Sequence, residues 1–190
     1  MINVMLIGEA KSGKTVALET LPRGTIVFSF DKGGYHSLGR RGKKLLIVNT
    51  LREWLKTDHV LEANEILAID YEFKNPVKDG FLPTYDDTVI HQFILDENEL
   101  WKINLKERGI YHVAIDSLTG LQYPVLDYTV VLGGRGKGTS EYEYGIAIEK
   151  MKEILDSFVT MPLDFVITAH IESEKDSITG KVKEKPLIYG

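Results

Sequence analysis

Residues 8–15 read GEAKSGKT, and this stretch decides the fold. It follows the apolar run 2–7, which predicts a β-strand, and precedes 16–21, which predicts a helix. The pattern is G-x-x-x-x-G-K-[ST], whose glycines let successive backbone N–H groups point at phosphate oxygens, next to the positive end of a helix. The sequence therefore predicts a nucleotide phosphate-binding loop made of Gly8, Glu9, Ala10, Lys11, Ser12, Gly13, Lys14 and Thr15.

Two side chains of this loop have expected roles. Lys14 is placed to reach the β- and γ-phosphates, and the Thr15 hydroxyl is placed to bind Mg²⁺. The alternative is a glycine-rich turn between a strand and a helix that contains a lysine by chance. The strand before the loop and the helix after it favour the nucleotide site.

The composition is that of a soluble globular protein, with 190 residues, 43% apolar and 27% charged. This length suits one α/β domain spanning residues 1–190. The chain has no cysteine, which excludes disulfides, thiol chemistry and Cys-ligated zinc. A net charge of −5 argues against a protein that coats nucleic acid by bulk electrostatics, although a local basic groove stays compatible with it. The basic cluster 40–44 is also typical of solvated surface.

The N-terminal residues show neither the basic segment nor the long apolar core of a signal peptide. The sequence also contains no apolar stretch of 18 residues, the length a membrane-spanning helix needs. We therefore expect a cytoplasmic protein that does not bind membranes, located in the host cytoplasm if a phage encodes it.

Short β-rich runs recur along the chain and are separated by helical patterns. Residues 25–30, 45–49, 110–116 and 163–168 are the clearest, and this alternation predicts a mostly parallel sheet flanked by helices. The stretch 57–98 breaks the regularity, so we predict an irregular insertion there, with patches at 66–73 and 88–95 that suit either a strand or a helix. Its many acidic residues suit a protein partner or a shield against DNA, and equally suit a solvated surface.

Polar residues stand where three of these strands end. Asp31 follows the second strand, Asp116 ends the run 110–116, and His170 follows the last core strand. The carboxyl ends of parallel strands converge on the crevice beside the phosphate loop. Asp116 is therefore predicted to hold Mg²⁺, usually through water, and His170 to sense the γ-phosphate. A surface histidine is the alternative for His170.

Two basic segments could face an anion. The glycine-rich loop 133–140 contains Arg135 and Lys137, and residues 171–188 predict a β-hairpin with Lys181, Lys183 and Lys185 at alternate positions. Such segments suit a nucleic-acid backbone or the nucleotide of a neighbouring subunit. A mobile surface turn and an edge strand kept soluble by lysines are the alternatives.

The order of these signals matters more than any one of them. GEAKSGKT, the strand ending at Asp31, VAIDSLTG at 113–120, VITAH at 166–170 and the basic hairpin together resemble the RecA-like ATPases. More narrowly, FSFDKGG and VITAHIESEKDSITGKVKEKP resemble the compact phage-type members, the group that includes core-only RecA-like single-strand annealing proteins. The resemblance covers most of the chain except about 57–98.

The resemblance implies an ATPase that requires ATP and Mg²⁺. Asp31 stands where RecA-like enzymes place the glutamate that orients and deprotonates the attacking water, and His170 stands where they have a polar sensor, commonly glutamine. The family also implies oligomers on single-stranded DNA in phage recombination or replication. A cation from the adjacent protomer, Lys183 or Lys185 with Arg135 as second choice, would then complete the site. Hydrolysis would be slow without the oligomer or DNA.

Two other functions remain open. An aspartate is one methylene shorter than the glutamate it replaces, which is compatible with a nucleotide-gated assembly module that barely hydrolyses ATP. A small-molecule kinase shares the phosphate loop but needs an arginine lid, and the sequence gives no such cluster near its end. The choice between ATP and GTP, and between ring and filament, stays open.

Overall fold

A computed structural model describes residues 1–31, 33–71, 88–132, 141–175 and 182–186. For Leu132, 172–175 and 182–186 it describes the backbone alone. The strands are β1 Asn3–Gly8, β2 Thr25–Ser29, β3 Lys44–Val48, β4 Glu65–Asp70, β5 His112–Asp116, β6 Asp164–Lys175 and β7 Val182–Pro186. The helices are α1 Lys14–Ala17, α2 Leu51–Leu55, α3 Val89–Lys102, α4 Leu118–Leu132 and α5 Glu141–Thr160.

The predicted α/β architecture is confirmed. Strands β1 to β6 form a parallel sheet in the order β1-β6-β5-β2-β4-β3, and β7 pairs antiparallel with the end of β6 as the predicted hairpin. Every residue of β2 and of β5 is buried, as expected of central strands covered by helices on both faces. The sheet with its helices therefore has the mostly parallel α/β arrangement that the sequence predicted.

The sheet register positions the predicted site. Gly8 at the end of β1 lies beside His170 in β6, and Ser29 at the end of β2 lies beside Asp116 in β5. Because these strands run in the same direction, the ends of β1, β2 and β5 lie at one edge of the sheet together with His170, beyond which β6 continues to Lys175. We call this the carboxyl edge.

An aromatic cluster fills the space between the sheet and the helices α3 and α5. Phe93 of α3 lies at its centre, with ring centroids 5.1 Å from Phe28, 5.1 Å from Phe30 and 5.7 Å from Phe158. Tyr71 stacks on Phe30 at 5.0 Å. These five residues, which we call the aromatic flank, are all buried.

The predicted irregular insertion at 57–98 is wrong for part of that range. Glu65–Asp70 is a strand inside the sheet, between β2 and β3, and α3 begins at Val89 where its N-cap Thr88 accepts from the His91 N–H at 3.2 Å. The apolar run of β4 stands between acidic residues, so its sequence alone does not show that it is buried. It is recognised as a central strand from its pairing with β2 and β3. Residues 72–87 of the range lie outside the described residues.

Within the described parts of the chain, none of the helices combines the length and the apolar character needed to cross a bilayer.

Candidate nucleotide site

A cleft of about 500 Å³ opens at the carboxyl edge. It brings together eight of the residues that the sequence predicted, since the strand ends and the phosphate loop share this edge. The predicted residues that line it are Lys11, Ser12, Gly13, Lys14, Thr15, Asp31, Asp116 and His170.

The backbone of the phosphate loop adopts two left-handed conformations. Gly13 has a φ of 90°, which costs a glycine nothing, and Lys11 has a φ of 65°, which is uncommon for a residue with a Cβ. The helix after the loop is shorter than predicted: α1 ends at Ala17, and a 3₁₀ turn, Leu18–Thr20, continues it. Pro22 follows closely, which disfavours further helix.

The ammonium group of Lys14 is folded back onto its own loop. Its Nζ donates to the carbonyl oxygens of Gly8 at 2.9 Å and Glu9 at 2.7 Å, and lies 3.4 Å from the Ser12 hydroxyl. Burial lowers the pKa of Lys14, and the carboxylates of Asp116 and Asp31 oppose that shift. The cation therefore lies where a phosphate would meet the loop, held by carbonyls that a phosphate oxygen can replace.

Asp116 and Thr15 meet at the floor of the cleft. The Thr15 hydroxyl donates to Asp116 Oδ2 at 2.8 Å, and the Thr168 hydroxyl donates to Oδ1. Asp116 is 1% exposed, so burial raises its pKa; the two threonine hydroxyls and Lys14 act against this shift, and Asp31 adds to it. A hydroxyl and a carboxylate side by side are the hard oxygen ligands that Mg²⁺ prefers, so this pair fits the ion.

Asp31 and His170 face each other across the cleft. His170 Nε2 lies 3.2 Å from Asp31 Oδ2, and His170 Nδ1 lies 3.5 Å from Lys14 Nζ. Because a lysine ammonium only donates, Nδ1 accepts and the hydrogen sits on Nε2, which donates to the carboxylate. The other oxygen of Asp31, Oδ1, accepts from the Ser117 hydroxyl at 2.8 Å.

Sequence reasoning missed a second wall of the cleft. The turn after Asp31 places His36, Ser37 and Arg40 along the cleft opposite the phosphate loop. The buried carboxylate of Glu19 anchors this turn, because its oxygens accept the backbone N–H groups of Arg40 at 3.1 Å and Arg41 at 2.8 Å. The glycine pair at 33–34, which begins two residues after Asp31, was the available signal of a close approach.

The basic cluster 40–44 also divides into different roles. The Lys43 ammonium donates to the carbonyls of Leu21, Arg23 and Ala63, and Lys44 forms an ion pair with Glu65 at 2.7 Å. These two lysines join chain segments, whereas Arg40 lines the cleft.

The described residues include no side chain of the predicted DNA-contact and trans-acting cations, so their positions relative to the cleft stay predictions. Arg135, Lys137 and Lys181 lie outside the described residues, and Lys183 and Lys185 lie in β7, where the backbone alone is described. The backbone register sets Lys185 opposite Glu172 and Lys183 opposite Glu174.

A family model described as an AAA domain, AAA_24, matches residues 1–187. The chain belongs to this AAA domain family. This family agrees with the phosphate loop and the parallel sheet of the structure. The protein is therefore a nucleotide-binding protein of an ATPase family. No curated protein matches this AAA domain chain.

Proposed function

We propose that this AAA domain protein is a Mg²⁺-dependent, RecA-like ATPase that acts as an oligomer on single-stranded DNA in phage recombination or replication. The observation that supports this most is the convergence of Lys14, Thr15, Asp31, Asp116 and His170 on one cleft. These residues provide a cation for phosphate, oxygen ligands for Mg²⁺ and a carboxylate for water, which is the set that phosphoryl transfer to water requires.

In the proposed reaction, Lys14 exchanges the carbonyls of Gly8 and Glu9 for the β- and γ-phosphate oxygens. Asp31 orients a water molecule and accepts its proton. A bond forms between the water oxygen and the γ-phosphorus while the bond to the bridging oxygen of ADP breaks, with positioning and charge neutralisation lowering the barrier. Bound Mg²⁺, held by Thr15 directly and by Asp116 through water, would supply further neutralisation of the phosphate charge.

His170 connects Lys14, at the phosphate loop, with Asp31, the proposed general base. Its ring contacts Lys14 on one side and Asp31 on the other, so moving Lys14 onto a phosphate removes one of its two partners. A bound γ-phosphate therefore changes the contacts of His170, and through them the surroundings of Asp31. We therefore assign His170 the sensor role.

The proposed oligomer completes the site in trans. A cation from the neighbouring protomer, Lys183 or Lys185 with Arg135 as second choice, would face the nucleotide, while Lys137 and Lys181 would contact DNA. Such a cation is worth on the order of a thousandfold or more in rate. Assembly on DNA would therefore switch hydrolysis on without any other change.

The test is phosphate release from ATP with Mg²⁺, alone and with single-stranded DNA, by the wild type, Lys14→Ala, Asp31→Asn and the surface control Lys102→Ala. We expect stimulation by DNA that Lys14→Ala and Asp31→Asn abolish and Lys102→Ala keeps. Wild-type release that DNA leaves unchanged would remove the DNA part of the proposal. Phosphate transfer to a nucleoside would replace the whole proposal with a kinase.

A nucleotide-gated assembly module is the second candidate, and one observation favours it. The Oδ2 atom of the short Asp31 side chain already contacts His170, so a water molecule must compete with His170 for this oxygen. Thermal stabilisation by ATP in the wild type but not in Lys14→Ala, with no phosphate release with or without DNA, would establish this function instead.

A further inference from the structure

Ser117 is a buried serine at the junction of β5 and α4, and its hydroxyl contacts Asp31 of the cleft. It follows Asp116 at the end of β5 and immediately precedes Leu118, the first residue of α4. Its side chain is 0% exposed. Asp31, which lines the cleft, therefore contacts the start of α4 through a residue that the proposed function leaves without a role.

The Ser117 hydroxyl joins two hydrogen bonds in series. The backbone N–H of Gly120 donates to Ser117 Oγ at 3.0 Å, as in an N-capped helix, and Oγ donates to Asp31 Oδ1 at 2.8 Å. A serine hydroxyl has one hydrogen, so accepting from the helix fixes its orientation and directs that hydrogen at the carboxylate. The start of α4 thus holds one oxygen of Asp31.

Gly120 shows how closely the helix approaches this carboxylate. A Cβ at position 120 would lie 2.6 Å from Asp31 Oδ1 and 2.9 Å from the carbonyl oxygen of Phe30. The backbone of Phe30 is itself bonded to β5, since its N–H donates to the carbonyl of Asp116 at 2.7 Å. Residues 30 and 31 are therefore held between the end of β5 and the first turn of α4.

We infer that Ser117 is the positioning residue that aims the Asp31 carboxylate for hydrolysis; this inference rests on the base role given to Asp31 in the proposed function. With Oδ1 held by Ser117, rotation of the carboxylate is blocked and Oδ2 is directed toward His170 and the cleft. Misplacing a reacting group by about 1 Å costs on the order of a hundredfold in rate. Ser117 acts through Asp31 and makes no contact with phosphate in this role.

The experiment combines substitutions of Ser117 with a substitution of Asp31. Ser117→Ala removes the hydroxyl, and Ser117→Cys keeps the size of the side chain but donates only weakly. Thr50→Ala is the matched control, because Thr50 caps α2 by accepting the Glu53 N–H at 3.3 Å and is not a residue of the cleft. Single-turnover hydrolysis, the dissociation constant for ATP and the melting temperature are measured for each variant.

We expect Ser117→Ala and Ser117→Cys to lower the hydrolysis rate about 10- to 100-fold, with the ATP dissociation constant unchanged. Thr50→Ala should keep the wild-type rate. In an Asp31→Asn background, Ser117→Ala should lower the residual rate no further, because the two residues act as one unit.

Three results would overturn the inference. A wild-type rate in Ser117→Ala beside a defective Asp31→Asn would reject the role of Ser117 and leave the proposed function intact. An equal loss from Ser117→Ala in both backgrounds would show that Ser117 acts independently of Asp31. A wild-type rate in Asp31→Asn would reject the base assignment itself, and the inference with it.

Discussion

The carboxyl edge and the aromatic flank beside it each bury an aspartate, and the two aspartates have different kinds of partner. At the carboxyl edge, Asp116 accepts from the hydroxyls of Thr15 and Thr168. Beside the aromatic flank, Asp96 of α3 accepts from the backbone N–H of Leu51 at 2.9 Å and the hydroxyl of Tyr71 at 2.7 Å. The Thr15 hydroxyl lines the cleft and can exchange its partner for a ligand, whereas the Leu51 N–H is fixed at the start of α2.

Burial has the same electrostatic effect on both carboxylates. It raises the pKa of Asp116 and that of Asp96, and hydrogen bonds oppose the shift in each case. The consequence differs because of the partners: Asp96 fastens α2 to α3, while Asp116 keeps exchangeable oxygen ligands at the cleft. Burial of a carboxylate therefore does not by itself mark a functional site. The two aspartates differ in whether a hydrogen-bond partner can exchange the carboxylate for a ligand.

The largest expected effect belongs to the aromatic flank. Phe93→Ala removes the ring that contacts Phe28, Phe30 and Phe158, and should lower the free energy of unfolding by about 3–5 kcal/mol in urea titrations. Val159→Ala, at a side chain 42% exposed, is the control and should change it by about 0.5 kcal/mol or less. A small loss in Phe93→Ala would show that this flank is not the stabilising region.

Asp116→Asn should separate activity from stability. Removing the carboxylate beside Thr15 should lower hydrolysis by about 100-fold, since groups that support a bound metal are worth 10- to 100-fold. The melting temperature should hold or rise, because a neutral amide replaces a buried charge whose ionisation the fold disfavours. Asp96→Asn is the matched control at the other buried aspartate and should keep the wild-type rate. Equal rate losses in both variants would erase the distinction between the two regions.

Asp96→Ala should show the opposite separation. It leaves the Leu51 N–H and the Tyr71 hydroxyl without their acceptor, at a cost of about 2 kcal/mol in the free energy of unfolding. Hydrolysis per folded molecule should stay at the wild-type value, measured at a temperature where the variant is fully folded. Lost hydrolysis in a fully folded variant would contradict a purely structural role.

The smallest effect tests a third buried carboxylate, Glu65, whose oxygens lie 2.7 Å from Lys44 and 2.6 Å from His59. Burial raises the pKa of Glu65, but hydrogen bonds from Lys44, the backbone of Glu62 and His59 outweigh it and lower the pKa to about 2. A folded-state pKa below the unfolded value gives stability that is full above about pH 4.5 and lost as the pH falls through about 2. Glu65→Gln should cost about 1 kcal/mol at pH 7, because Lys44 is mostly exposed.

The pH dependence of this cost gives the measurement. The difference in melting temperature between the wild type and Glu65→Gln should shrink steadily between pH 4.5 and pH 2. Asp96→Asn should show the reverse trend, since the raised pKa of Asp96 makes its ionisation unfavourable to folding and the amide gains on the wild type as the pH rises. Parallel trends in the two variants would refute the assigned directions.

The parts of the fold that the sequence predicted are those with a strong local pattern. The apolar runs of β1, β2, β3, β5 and β6 and the loop GEAKSGKT carry their own periodicity and turn chemistry. Strand β4 and the start of α3 lie in patches whose sequence pattern suits either a strand or a helix, so the sequence left them inside the irregular insertion. Their assignment depends on burial by β2, β3 and the aromatic flank, which a local window does not contain.

The sequence was sufficient to predict the phosphate loop and the strand-end acids. These signals are local patterns of residues, so Lys14, Thr15, Asp31 and Asp116 were predicted as site residues before any contact was known. Only the tertiary structure decided which atoms meet: Ser117 with Asp31, 86 residues apart, and His170 with Lys14, 156 residues apart. The physical reason is that side-chain pairing depends on strand order and register, and these are set by packing across the whole sheet.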